Sequence, residues 1–155
     1  MKNKVFKSFF AIVLSLLLFS ACNNKKKKSE TIKIGIIVPL TGELGSYGKN
    51  IDNGAKLAIE ELKKDSVNVD LIIADSKGET REGISLMQKM INVDECKYFI
   101  GDISSTVTLA MLPIIENNKV FLFSPGAATP KLTNSSKYFA RNWPSNNEEA
   151  NSAAE

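Results

Sequence analysis

From Thr31 onward the chain alternates short, almost unbroken apolar runs with longer amphipathic stretches. The apolar runs at 32–40, 69–74, 98–100 and 120–123 have the length and β-branched content of strands, and near-continuous hydrophobicity predicts burial on both faces. The stretch 50–64 sets Ile51, Ala55, Ala58 and Leu62 at helical spacing. The stretch 80–92 does so with Ile84, Met87 and Ile91, and 105–117 with Val107, Ala110, Met111 and Ile114. One apolar stripe per helix, alternating with strands, predicts parallel βαβ units joined by right-handed crossovers. The expected fold class is α/β, a doubly wound, mainly parallel sheet. Thr80 and Ser104 or Ser105 are the expected N-caps, and Pro113 is expected to kink the third helix. The tail from Pro144 predicts a turn and then a new helix, capped by Asn or Ser, with Glu148 and Glu149 in its first turn. The chain is expected to stop in mid-element.

In a sheet of this kind ligands bind beyond the carboxyl ends of the strands, so the loops there are the place to look for chemistry. The first, TGELGSYGKN, has Gly42, Gly45 and Gly48 between a strand and a helix. Its spacing is G-x-x-G-x-x-G, unlike the dinucleotide fingerprint, although Asp70 or Asp75 lies downstream, and it lacks the P-loop lysine. It reads as a tight turn that uses glycine's freedom at positive φ rather than as a phosphate cradle. The second loop, Gly101-Asp102-Ile103-Ser104-Ser105-Thr106, leads into a helix. Hydroxyls and free N–H groups at a helix N-terminus suit a carboxylate or a phosphate, and three hydroxyls in succession exceed what capping needs. The third, Ser124-Pro125-Gly126-Ala127-Ala128-Thr129-Pro130, holds small residues between two prolines. A ligand can approach such a backbone closely; the alternative is a simple surface turn.

The first 21 residues differ from the rest. Lys2, Lys4 and Lys7 precede an uncharged stretch from Phe9 to Ala21, the layout of a secretory signal and too short for a typical membrane-spanning helix. Phe19, Ser20 and Ala21 run into Cys22, which resembles the bacterial lipobox, with Phe19 where an aliphatic residue is usual. The resemblance implies lipidation of Cys22 and anchoring in a lipid bilayer. Lys25 to Lys28 then read as a solvated spacer. The chain of 155 residues carries a formal charge of +3, with 20 Lys+Arg and 17 Asp+Glu. The signal holds three of those lysines and no acid, so the remainder is balanced, which argues against a nucleic-acid partner. With Cys22 lipidated, Cys96 has no disulfide partner. Histidine is absent, which removes Ser-His-Asp and Cys-His nucleophiles and the usual zinc sites. No catalytic residue, cofactor or metal site is expected, and no enzyme.

Together the stretches IKIGIIVPLTGELGSYG, IGDISST and LFSPGAATPKLT resemble the leucine/isoleucine/valine-binding group of type I periplasmic binding proteins, from about Ile32 to the chain end. The resemblance implies two Rossmann-like lobes closing on a solute, of which this chain would supply the first. It divides the chain into a signal peptide (1–21), a lipid-anchored tether (22–30), an N-terminal ligand-binding lobe (31–141), and a hinge with the start of a second lobe (142–155). Ser105 would bind the carboxylate of an amino acid through its hydroxyl and N–H, with Ser104 and Thr106 beside it. The Gly126 carbonyl would take the ammonium group within a turn that continues through Ala127, Ala128 and Thr129. Tyr47 would pack against the ligand side chain or else shield the sheet edge. Ala128 departs from the threonine common in amino-acid binders, with Thr129 one place later. The implied function is an exported, membrane-anchored solute-binding component of an ABC importer, with a membrane permease as partner. The alternatives are a ligand-sensing module for a membrane signalling partner and, behind it, a nucleotide-dependent enzyme.

Overall fold

The computed structural model describes residues 31–155; the signal, Cys22 and the tether lie outside them. Five strands form one parallel sheet: β1 (Ile32–Val38), β2 (Val69–Asp75), β3 (Tyr98–Gly101), β4 (Phe121–Ser124) and β5 (Phe139–Arg141), in the order β2-β1-β3-β4-β5. The helices are α1 (Gly45–Lys64), α2 (Thr80–Asn92), α3 (Ser105–Asn118) and α4 (Asn146–Ala154), with a 3₁₀ turn at Pro130–Leu132. The expected doubly wound α/β architecture is what the chain adopts. The order reverses beside β1, where β2 and β3 flank it.

Register decides which residues share a face. Ile72, Gly35, Phe99 and Leu122 align across four strands, and on that face Phe99, Ile37 and Leu122 pack with Met87 and Met90 of α2, Val107, Met111 and Ile115 of α3, and Cys96. Burying each such side chain is worth about 1.5–3 kcal/mol, so this cluster is the main source of cohesion. Cys96 belongs to it as a small apolar group, a buried free thiol. The opposite face is covered by α1 over β1 and β2. Over β3 and β4, Tyr98 is 51% exposed and its register partner Phe121 37%.

The helix over 80–92 matches its expected bounds, with Glu79 rather than Thr80 at the N-cap position. Helix α3 is one helix through Pro113. Two features differ from the sequence expectation. Helix α1 begins at Gly45, not near 50, because the amides of Tyr47 and Gly48 already bond to Leu44 O at 3.1 and 3.2 Å. Half of the glycine loop is therefore helix, and only Gly42 uses positive φ, at 74°. Gly48 serves a close approach instead: a Cβ there would lie 1.8 Å from Pro39 O. Strand β5, only three residues long, is too short to show a period. Its place comes from pairing with β4. Helix α4 has the expected cap: Ser145 Oγ accepts from Glu148 N at 3.3 Å, and Glu148 accepts from Ser145 N at 2.6 Å.

Candidate ligand-binding site

Beyond the carboxyl ends of β3 and β4 the second and third loops form a single wall. Gly101 starts it, at φ 126°, with Ile37 O only 1.8 Å from where a Cβ would stand, so no other residue fits. Asp102 follows, fully buried. One of its carboxylate oxygens accepts from the Ser104 amide at 2.8 Å and the other from the Ser76 hydroxyl. Burial pushes its carboxyl above the ordinary value, with help from the charge of Asp75 and against the bonds from Ser104, Ser76 and Ile103.

The expected cap at α3 is thus inverted. Ser104 sits at the N-cap but its hydroxyl makes no cap bond. The Asp102 carboxylate takes the Ser104 amide, and the N–H groups of Ser105, Thr106 and Val107 have no acceptor among the described residues. Ser105 is half-buried, and its Oγ accepts from the Thr129 amide at 3.2 Å. Its hydroxyl proton remains available to a ligand. Thr106 is exposed beside it.

The turn after β4 is held from several directions. Ser124 Oγ donates to Asp102 O at 2.7 Å and accepts from the Ala127 amide at 3.0 Å. Arg141 Nη1 donates to Ala127 O at 3.1 Å and Thr129 O at 2.9 Å, while Nη2 reaches Thr133 Oγ1 at 2.8 Å. The Asn146 amide donates to Ala128 O at 2.9 Å. Ala127 is buried with both its backbone groups engaged inside the wall. The carbonyls of 127, 128 and 129 are all occupied, and among the described residues Gly126 O has no partner. Gly126 lies against β3's loop, where an added Cβ would come 3.1 Å from Ile103.

The wall therefore presents a row of free donors at the start of α3 and a free carbonyl at Gly126. Such a pair matches a group carrying a negative and a positive end. Tyr47, 61% exposed, stands at the start of α1 beyond the end of β1, and no hydrogen bond of the wall includes it. Asp75, which lies downstream of the glycine loop, fastens that loop. It accepts from Leu40 N at 2.7 Å, Thr41 Oγ1 at 2.5 Å and Lys77 N at 2.8 Å. Burial raises its pKa, but the bonds from Thr41, Leu40 and Lys77 together bring it below the ordinary value.

Asp102, Ser76, Ser124 and Arg141 are the residues that sequence reasoning passed over. Only Asp102 and Ser124 had a signal, their place inside the two loops. A groove lined by Leu132, Thr133, Phe139, Arg141, Trp143 and Glu148 shares Arg141 with the wall but none of Ser104, Ser105, Thr106 or Gly126. Among the described residues no group of three or more Cys, Asp or Glu is placed to hold a metal ion, and no helix is long and apolar enough to cross a membrane.

Comparison with known proteins points one way. A family described as periplasmic binding protein matches residues 31–155. The Leu/Ile/Val-binding protein BraC3 of Rhizobium johnstonii is 34% identical over 106 residues, 66% of this chain and 29% of that protein. A crystal structure of the branched-chain amino acid transporter substrate binding protein LivJ from Streptococcus pneumoniae, in complex with isoleucine, superposes with TM-score 0.70 and 28% identity, covering 75% of this chain and 34% of the other. A solute binding protein of an ABC transporter from Rhodopseudomonas palustris, in complex with 3,4-dihydroxybenzoic acid, superposes with TM-score 0.70 and 30% identity, covering 74% and 32%. The chain spans about a third of the length of each.

Proposed function

The chain belongs to the periplasmic binding protein family, and on that premise we propose that it supplies the first lobe of a lipid-anchored, extracytoplasmic solute-binding protein of an ABC importer, whose solute is a branched-chain amino acid. The observation that carries an amino acid as the solute is the unpartnered Gly126 carbonyl on the same wall as the unpartnered donors of Ser105 and Thr106; the branched side chain follows the solutes named for its relatives. Donors at a helix N-terminus suit any carboxylate, aromatic acids included. An adjacent free acceptor, with its neighbours already occupied, favours a carboxylate that also bears an ammonium group.

Ser105 donates its hydroxyl and N–H to the carboxylate, with Ser104 and Thr106 flanking, and Gly126 O accepts from the ammonium. Ala127 buttresses the turn. Ala128 offers no hydroxyl, but Thr129 Oγ1 has no partner among the described residues and lies on the same turn. Tyr47 closes against the solute's side chain. Residues 31–141 form the lobe, 142–155 lead toward a second lobe, and Cys22 with the tether to 30 keeps the trap near its permease.

The test is an NMR titration with L-isoleucine, its amide, and 4-methylpentanoate, which lacks the ammonium. Isoleucine is expected to shift Ser105, Thr106 and Gly126, and both analogues to shift them less. No response to isoleucine, or an equal response to 4-methylpentanoate, overturns the solute assignment. Intact mass of the membrane fraction tests the anchor, and an unacylated Cys22 refutes it.

A further inference from the structure

Asp102 is the one fully buried carboxylate among the described residues, and neither of the ion pairs formed there, Lys56–Asp52 and Lys89–Asp94, includes it. A buried acid without a cation is costly. What it gains is reach. From the end of β3 its side chain passes the end of β1 to the Ser76 hydroxyl on the β2 loop, and takes the Ser104 amide on its own loop at 2.8 Å. Its carbonyl accepts from Ser124 Oγ at 2.7 Å and from Thr108 Oγ1 at 2.9 Å. Through Ser124 Oγ the connection continues to the Ala127 amide at 3.0 Å. One residue thus joins the loops after β2, β3 and β4.

We propose that Asp102 is the positioning residue of the binding wall, holding the start of α3 and the turn at 126–129 in the geometry that presents the free donors of Ser105 and Thr106 and the free carbonyl of Gly126. It touches no ligand, since it is fully buried. The Ser76 hydroxyl and the Ser104 amide converge on its side chain, with a further bond from the Ile103 amide, and a carboxylate accepts them all while bringing no donor of its own. By tying down the Ser104 amide but not those of Ser105, Thr106 and Val107, it leaves these three N–H groups for a ligand. Asparagine keeps one acceptor oxygen and sets an NH₂ against the other donor, so it retains part of the arrangement. Alanine loses the side-chain bonds and keeps only those to the backbone carbonyl.

This inference rests on the proposed site, and the experiment separates the two. Amide exchange is measured by NMR in the ligand-free chain for the wild type, Asp102→Ala, Asp102→Asn and Ser76→Ala, followed by titration with L-isoleucine. In Asp102→Ala, exchange at Ser104 and Ala127 is expected to rise at least tenfold while Phe99 and Leu122 in the core change little, and isoleucine affinity to fall at least threefold. Asp102→Asn should recover most of both effects, and Ser76→Ala should show a smaller version. If Asp102→Ala does not fold, the Asn and Ser76→Ala variants decide. Wild-type exchange at Ser104 and Ala127 in the variants that fold overturns the proposal, as does a rise shared equally by the core amides. If the wild type gives no response to isoleucine, the functional assignment fails, and the exchange pattern still decides the role of Asp102.

Discussion

Ser105 Oγ accepts the Thr129 amide at 3.2 Å, which fastens the start of α3 to the turn after β4 at an atom whose own proton is still free for a ligand. Removing that oxygen has two effects, loss of a donor and loss of a tie. Ser105→Ala is expected to weaken isoleucine binding by about tenfold, near 1.4 kcal/mol, the usual size for a hydrogen bond to a charged group. Its melting temperature should stay within a few degrees of the wild type. Titration and thermal denaturation of the same samples check both.

Arg141 spends three hydrogen bonds on Ala127 O, Thr129 O and Thr133 Oγ1. A lysine cannot reproduce that planar fork. Arg141→Lys and Arg141→Ala should both destabilise the chain, by about 1–3 kcal/mol in urea denaturation, with lysine closer to alanine than to arginine.

Two glycines of α1 should respond in opposite directions. An added Cβ at Gly48 meets Pro39 O at 1.8 Å, whereas at Gly54 nothing lies within 4 Å. Gly54→Ala should therefore stabilise by about 0.5–1 kcal/mol through helix propensity. Gly48→Ala should destabilise, because the backbone of α1 must move off the end of β1. Equilibrium denaturation of the pair decides.

The acids of the loops give stability a predictable pH dependence. Asp75 has a folded pKa below its ordinary value of 3.8, where burial is outweighed by the bonds from Thr41, Leu40 and Lys77. Its contribution is present above pH 3.8 and disappears as pH falls through the lower folded value. Asp102, raised by burial, acts in the opposite sense: stability falls as pH rises from 3.8 toward its raised value, then levels off. The difference between wild type and Asp75→Asn reports mainly the first, with a smaller part from the Asp75 charge acting on Asp102. It should be constant above pH 5 and shrink toward zero in acid.

A single lobe has few contacts to offer. A micromolar solute needs about 8 kcal/mol, while each charged hydrogen bond supplies about 1.5–3 kcal/mol and association itself costs several. The 155-residue chain is expected to bind isoleucine at about millimolar affinity or weaker by NMR titration. A micromolar value would remove the need for a closing second lobe.

The sequence by itself determined the elements with strong periods. The apolar runs became β1 to β4, the 80–92 stripe became α2, and an Asn or Ser cap with Glu148 and Glu149 in the first turn announced the start of α4. All of these follow from local energetics: burial on both faces, one apolar stripe, one cap. The second and third loops stood out as candidate binding loops for the same reason, since hydroxyls at a helix start and glycine between prolines are local signals. Only the tertiary structure decided which polar groups stay free. Whether Gly126 O is available depends on Arg141, 15 residues further on, and on the Asn146 amide occupying its neighbours. Whether the α3 donors are available depends on Asp102, whose carboxylate is held from across the sheet by Ser76. Those partners meet because the parallel strands of the sheet all end along one edge, and a hydrogen bond made across strands leaves no periodic trace along the chain.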